Sequence, residues 1–192
     1  MYHTEGFVLG GRNVGEAHRM VSLFTRELGL VRAHAKSVRE ERSKLRFGLQ
    51  TFALTNVSLI RGKDMWRITG ASVREDTYRV LKNDKRKIRL LSKISSLLSH
   101  VLYGEEQSEE LYELFRISIE ALVSEEFSDK ELSSFEEILV LRVFHLLGYV
   151  GEDEELSPFF GRAFRRENME YSEATKRKII RHINEALAAS KT

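Results

Sequence analysis

The 192-residue sequence predicts an α+β fold in which strands come first and helices second. Two observations carry this. Up to about residue 76, apolar and polar residues alternate with period two between glycine-bearing turns. From Thr77 the apolar spacing becomes three and four. Runs of strands followed by runs of helices indicate α+β architecture or two separate domains. We expect the boundary between residues 76 and 77, giving domains 1–76 and 77–192.

HTEGFVLGG is short, glycine-ended and rich in β formers, a first strand. GEAHRMVSLFTRELG, residues 15–29, reads two ways. Ala17, Met20, Val21, Phe24 and Leu28 recur at helical spacing, yet Val21 to Thr25 are strand formers and LVRAHAKSV continues after Gly29 like a hairpin arm. Read as a strand, it turns Val21 and Leu23 one way and Met20 and Phe24 the other. VREERSKLRFGLQ is polar and basic, a helical turn or a long loop. FALTNVSLIRG sets Ala53, Thr55, Val57 and Leu59 against Phe52, Leu54, Asn56, Ser58 and Ile60. After the RGKD turn, MWRITGASV sets Trp66, Ile68 and Gly70 against Met65, Arg67 and Thr69, so these two runs form a hairpin. Five short strands with one long connection after the third suit a five-stranded OB-type β-barrel.

The second part predicts an all-helical domain. One long amphipathic helix from Thr77 carries Leu81, Ile88, Leu91, Ile94, Leu98 and Leu102 as its stripe. A second begins after Ser108 and uses Leu111, Leu114, Phe115, Ile119 and Leu122. The third, SDKELSSFEEILVLRVFHLLGY, is apolar enough to be buried on most sides, with Gly148 placed to end it. GEDEELSPFFGRAFRREN is an irregular connector. The last helix starts at Ser172 and rests on Ile179, Ile180, Ile183 and Leu187.

Composition excludes several classes. Hydrophobic residues at 42% and charged residues at 31% fit a globular protein, and no apolar run approaches the ~18 residues of a membrane span. MYHTEGFV has no secretory n-region or h-region, so the expectation is a cytoplasmic protein. The absence of cysteine removes disulfides, thiolate metal sites and a cysteine nucleophile. The formal charge of +2 hides an asymmetry: residues 1–79 hold 14 Lys+Arg and 8 Asp+Glu, while the rest is net acidic. Such a split points to a nucleic-acid or membrane surface on the basic part.

TEGFVLGGRNVGEAHRMVSLFTRELGLVRAHAKSVRE resembles the N-terminus of the RecO family of bacterial recombination-mediator DNA repair proteins. Thr4, Gly6, Val8 and Leu9 fall on its opening strand. Gly15, Glu16, Ala17, Arg19, Val21, Leu23, Phe24, Thr25, Gly29, Ala33, Ala35 and Lys36 fall on its second motif. Arg46, Phe47, Gly48, Gln50 and Phe52 match its basic-Phe-Gly element, with Thr51 where proline is common, and LLGY recurs after the third helix. The match tilts residues 15–29 to a strand. Many members carry Asp where His18 stands and a four-cysteine zinc module after LLGY. Here that region, GEDEELSPFFGRAF, has no cysteine, so the resemblance implies a short, metal-free variant.

The resemblance implies a mediator that binds single- and double-stranded DNA and anneals complementary strands. With RecR, it helps RecA load onto strands coated by single-stranded DNA-binding protein (SSB). It also implies a nucleoid-associated location. Phosphate neutralisation by Lys and Arg supplies most sequence-independent affinity, and aromatic faces add stacking. The candidate DNA-binding residues lie in or beside barrel loops and strand ends. They are Arg12, Arg19 and Lys36; then Arg39, Arg42, Lys44 and Arg46 in the polar loop; then Arg61, Lys63 and Arg67 about the last turn. Trp66 is the first stacking candidate and Phe47 the second. The plainer reading of each cation is a solvated charge, and of Trp66 core packing, because an alternating strand turns half its side chains inward. Lys82, Lys85, Arg86, Arg89 and Lys93 add a basic helix face.

The resemblance also implies that the helical domain takes the acidic, apolar C-terminal tail of SSB. Such a tail needs an apolar groove and a cation. Arg116 and Arg142, each set in an apolar helix, are the candidates, the plainer reading being an arginine reaching to solvent from the helix edge. Nothing supports an enzyme. The six histidines lack ligand spacing, GGRNVG lacks the Lys-Ser/Thr of a P-loop, and no catalytic set, metal, cofactor, membrane or small-molecule substrate is expected. His18 and His34 could meet across paired strands. The alternative to DNA binding is a protein-docking adaptor built on the same barrel.

Overall fold

The period-two runs form five strands that close on themselves in the order β1-β2-β3-β5-β4. The computed structural model describes residues 1–102, 104–161 and 163–191. β1 is Tyr2–Val14, β2 His18–Thr25, β3 Gly29–Ala35, β4 Ala53–Arg61 and β5 Trp66–Asp76. Four pairings are antiparallel. The fifth, β3 with β5 through Ala33↔Trp66 and His34↔Arg67, is parallel and seals the barrel. β1 serves both neighbours by bending: its first half pairs with β4, and beyond a register shift between Val8 and Gly10 its second half continues along β2.

The ambiguous stretch is therefore a strand. Val21 and Leu23 point into the barrel with Val8, Val31, Ala33, Val57, Leu59 and Ile68. Met20 faces outward. Phe24, also on the outer face, is covered by Tyr112, whose ring lies 5.6 Å away. Gly29 closes the β2–β3 turn at φ +61, a conformation open to glycine and costly for a residue with a Cβ.

The connection from β3 to β4 crosses one end of the barrel. It contains a single helical turn, α1 (Leu45–Gly48), within the segment read as a turn or loop. Gly48 lets α1 lie against β5, since a Cβ there would sit 2.7 Å from the Ala71 carbonyl oxygen. Phe52 then enters β4 at φ +70, its N–H donating to the Val8 carbonyl at 2.8 Å.

Two compact units are resolved, Met1–Tyr112 and Glu113–Thr192. In the first, the long helix expected from Thr77 is broken into α2 (Thr77–Leu81) and α3 (Lys85–Val101). Asp84 breaks it. Its carboxylate accepts the backbone N–H groups of Arg86 and Lys87, as a helix N-cap does and a mid-helix residue cannot. Leu91, Ile94 and Leu98 are buried as the stripe predicts, joined by Leu90 and Val101, whereas Ile88 is only partly covered. Tyr103, the end of that stretch, lies outside the described residues.

α4 is Glu109–Ser124, and Ser108 Oγ accepts the Leu111 N–H. In the second unit, α5 (Asp129–Leu146) opens with a capping box between Ser128 and Glu131 and buries Phe135, Ile138, Leu139, Leu141, Val143 and Phe144. Its end is turned by Gly148 at φ +78. Two 3-10 turns, Ser157–Phe159 and Arg166–Met169, punctuate the connector to α6 (Glu173–Ala189). Ser172 caps α6, which buries Ile179 and Ala186 and leaves Ile180 exposed, so its inner face is narrower than the isoleucine pattern predicts.

The Asp84 cap gives a test. The Arg86 guanidinium and backbone N–H bonds hold its carboxyl at about 2, below the ordinary aspartate value of 3.8. A carboxyl with a depressed folded pKa stabilises fully above its unfolded value and loses that contribution as pH falls through the folded one. Asp84→Ala should cost about 1 kcal/mol in urea unfolding at neutral pH. The difference between variant and parent should shrink below pH 3.8 and vanish near pH 2.

Candidate nucleic-acid interface

Two surfaces of the barrel carry cations without carboxylate partners. The first is a cleft of about 470 Å³ where the crossover meets the β1–β2 hairpin, lined by Gly11, Asn13, Arg19, Val38, Arg39, Arg46 and Leu49. Its register explains it: Asn13 pairs with Arg19, which pairs with Ala35 at the end of β3. Arg19 is half-buried and fixed, donating from Nη1 to the Leu49 carbonyl at 2.9 Å and from Nη2 to Thr51 Oγ1 at 3.1 Å. Burial lowers its guanidinium pKa from the ordinary arginine value. Arg39 is tied to the same hairpin, its backbone N–H donating to Ala17 O and its Nη1 to Gly15 O.

The second surface is the outer face of the sheet. One cross-strand row runs Arg12, Met20, His34, Arg67 over β1, β2, β3 and β5. Three inter-strand steps, about 14 Å measured along the curved sheet, lie between its terminal arginines. His18 lies beside it, its ring 5.2 Å from His34, and Lys36 follows β3 on the same alternation. The imidazoles thus meet as their strand positions allow. No group of three or more His, Asp or Glu among the described residues is placed to hold a metal. The Ser37 N–H donates to His18 Nδ1 at 2.9 Å, so that nitrogen acts as the acceptor.

Arg12, Arg19, Lys36, Arg39, Arg42, Lys44, Arg46, Lys63 and Arg67 form no ion pair among the described residues, although Glu40 and Glu41 share their loop. Arg61 differs. It pairs with Glu105 at 3.4 Å and lies over the Trp66 ring. Arg26 is also engaged, 3.8 Å from Glu5 and over the Tyr112 ring.

Trp66 does not offer its ring to a base. It is 5% exposed, belongs to the barrel core, meets Tyr2 edge-on at 5.1 Å and donates its Nε1–H to Glu105. Its position on β5 is an inward one, paired with Ala33, and the large ring fills the seam between β3 and β5. The most exposed aromatic among the described residues is Phe47, 68% accessible on α1 and preceded in sequence by Lys44 and Arg46.

The two arginines assigned to a partner's tail are occupied. Arg142 is 3% exposed rather than at the helix edge. It donates from Nε to the Phe159 carbonyl and from Nη2 to the Ala163 carbonyl at 3.0 Å, with Phe164 stacked beneath at 4.4 Å. Burial brings its pKa down to about 10. It is the internal clamp of the connector, not an open docking cation. Arg116 is partly exposed but bonded to Glu113 and Glu120 on its own helix, and the Glu113 carboxylate raises its pKa.

Sequence reasoning missed Arg32 and Asn13. Arg32 alternates with buried Val31 and Ala33 and so shares the outer face, with Nη2 donating to the Ser99 carbonyl at 3.0 Å. Period two alone could have placed it. Asn13 needed the register. The helix-face cations are also displayed: Lys85, Arg89 and Lys93 line a shallow groove on α3, a helix without a single acidic residue.

Residues 1–76 match the family model "Recombination protein O N terminal". The chain is similar to curated proteins called DNA repair protein RecO. It is 27% identical over 146 residues to that of Acetivibrio thermocellus, covering 76% of this chain and 57% of the relative. It is 29% identical over 171 residues to that of Caldanaerobacter subterraneus subsp. tengcongensis, covering 81% and 65%. It is 30% identical over 150 residues to that of Nostoc punctiforme, covering 78% and 49%. The chain thus spans about half to two thirds of the length of the curated relatives it matches. No helix among the described residues is long and apolar enough to cross a membrane.

Arg142→Met should leave the Phe159 and Ala163 carbonyls without their donor. Unfolding measurements should show a loss of about 2–4 kcal/mol.

Proposed function

We propose that this chain, whose first 76 residues belong to the RecO N-terminal family, is a non-enzymatic DNA repair and recombination mediator acting on DNA through its barrel. Residues 1–76 are the DNA-binding domain in this reading and residues 77–192 the helical domain. The observation that carries it is the set of nine barrel cations free of carboxylate partners among the described residues, beside the highly exposed ring of Phe47. Unpaired cations lose little on meeting phosphate, because no internal ion pair is broken first, and each phosphate neutralised releases counterions.

The outer row and crossover loop hold one strand by its backbone, while Phe47 stacks on a base. The α3 face, with Lys85, Arg89 and Lys93 at helical spacing, screens a second strand and so favours annealing of complementary strands. Resemblance supplies the partners: RecR at the barrel, the C-terminal tail of SSB at the helical domain, and RecA loading as the outcome, in the cytoplasm. Of the two tail-docking arginines, only Arg116 stays reachable, by exchanging Glu120 for the tail's carboxylate.

Anisotropy titration with a short single strand tests the reading. The plot of log K against log[salt] should slope about −3 to −4, the value for roughly five neutralised phosphates. A flat response, or no binding at low salt, would leave the protein-docking adaptor. Joint replacement of Arg42, Lys44 and Arg46 by alanine should weaken binding to all sequences alike and flatten the slope by about 2. Phe47→Ala should cost roughly 1–3 kcal/mol with the salt slope unchanged.

A further inference from the structure

We infer that the cleft at the barrel's end is a binding site for a phosphomonoester, the dianionic group that ends a DNA strand or a free nucleotide. For the strand end, the inference rests on the DNA-binding reading above. Three guanidiniums, Arg19, Arg39 and Arg46, come from β2, the crossover and α1, and no carboxylate lines the space between them. The site is built. Arg19 is held by two hydrogen bonds across the cleft, to Leu49 O and Thr51 Oγ1. Gly11 makes room for it, since a Cβ there would lie 3.0 Å from Arg19 Nε and 2.4 Å from the Met20 carbonyl oxygen. Asn13, opposite Arg19 in register, brings an amide with no hydrogen-bond partner among the described residues. Val38 and Leu49 are almost fully buried and supply a wall that keeps water from part of the cleft.

Charge selects the ligand. An internal phosphodiester brings one negative charge on two free oxygens. A phosphomonoester brings about −1.5 to −2 at neutral pH on three. Three guanidiniums lining one small space, Arg19 through the N–H groups that its bonds to Leu49 and Thr51 leave over, are under-used by a diester and matched by the three oxygens of the monoester. The volume of about 470 Å³ also admits the attached sugar. Internal diesters are also served elsewhere, by the outer row of Arg12 and Arg67 and by Arg42 and Lys44 of the crossover.

The test is an anisotropy titration of the full chain at fixed ionic strength. Strands with a 5′-phosphate or a 3′-phosphate are compared with a hydroxyl-ended strand one nucleotide longer, which carries the same number of phosphates. One phosphorylated form should bind roughly tenfold more tightly, the gain of one strong charge-assisted contact. Arg39→Gln with Arg46→Gln should abolish that preference, and Arg67→Gln should lower all affinities while keeping it. Inorganic phosphate and a nucleoside monophosphate, added as competitors, separate the sources. If millimolar amounts remove only the end preference, the strand end is the ligand. If the monophosphate itself binds as tightly as the phosphorylated strand, the free nucleotide is. Equal affinities for all three strands, with no effect of inorganic phosphate, overturn the inference and leave the DNA-binding reading standing. Should no strand bind, the thermal shift with inorganic phosphate decides: a shift lost in the Arg39/Arg46 variant supports the cleft, and none overturns it. Displacement by an acidic peptide but not by phosphate also overturns it.

Discussion

A five-stranded barrel closed by a parallel pair cannot be joined at that seam by a tight turn. β3 and β5 run the same way, so the chain must leave β3, travel round the barrel's end and lay down β4 before β5 can dock. Residues 36–52 make that journey. Everything distinctive about the basic end follows from it. The crossover lies against the β1–β2 hairpin through Arg39, is pinned to β2 by Arg19 and presses on β5 at Gly48. A segment held at three places can present Phe47 outward, where a free loop would fold its aromatic in.

The same unit disposes of its acids at other positions. Glu5 takes Arg26, Arg74 and the Tyr112 hydroxyl; Glu105 takes Arg61 and the Trp66 indole; Asp84 and Asp76 cap helices. Cations near those carboxylates are internally balanced, whereas those of the crossover and the outer row are not. A modest excess of positive charge over the first 79 residues thereby becomes concentrated on two surfaces. Desolvation at Arg19 sharpens this, because a half-buried guanidinium without a carboxylate partner among the described residues is costly.

The five strands and the alternating faces of β2, β4 and β5 were legible because a half-buried strand must alternate, and Val57, Leu59 and Ile68 obey that rule. The turn at Gly148 and the caps at Ser108 and Ser172 were legible for a similar reason: one residue does the work locally. The break at Asp84 was not, since the leucine stripe continues across it in phase and only the cap's hydrogen bonds reveal the stop. Trp66 stood as a stacking candidate beside its plainer reading as core, and the core reading holds, because its position on β5 alternates with Arg67 and turns inward. Arg142 defeated the reading differently. In α5 nearly every residue is apolar, so a lone arginine suggests an exposed edge. Its partners are carbonyls of Phe159 and Ala163 in an irregular connector, a kind of contact that leaves no periodic trace. The cleft was half legible: its arginines stand out in the sequence, but their convergence depends on register and on Gly11.

The placement of Trp66 has one more consequence. It is the protein's single tryptophan, and it sits in the parallel seam with its indole N–H bonded to Glu105. Its ultraviolet emission therefore belongs to one place in the molecule, the joint on which barrel closure depends. Loosening of that joint lets water reach the ring and moves the emission to longer wavelength, while loss of helical structure farther along the chain leaves it unaltered. The protein carries its own optical gauge of whether the barrel is shut, with no dye or label needed.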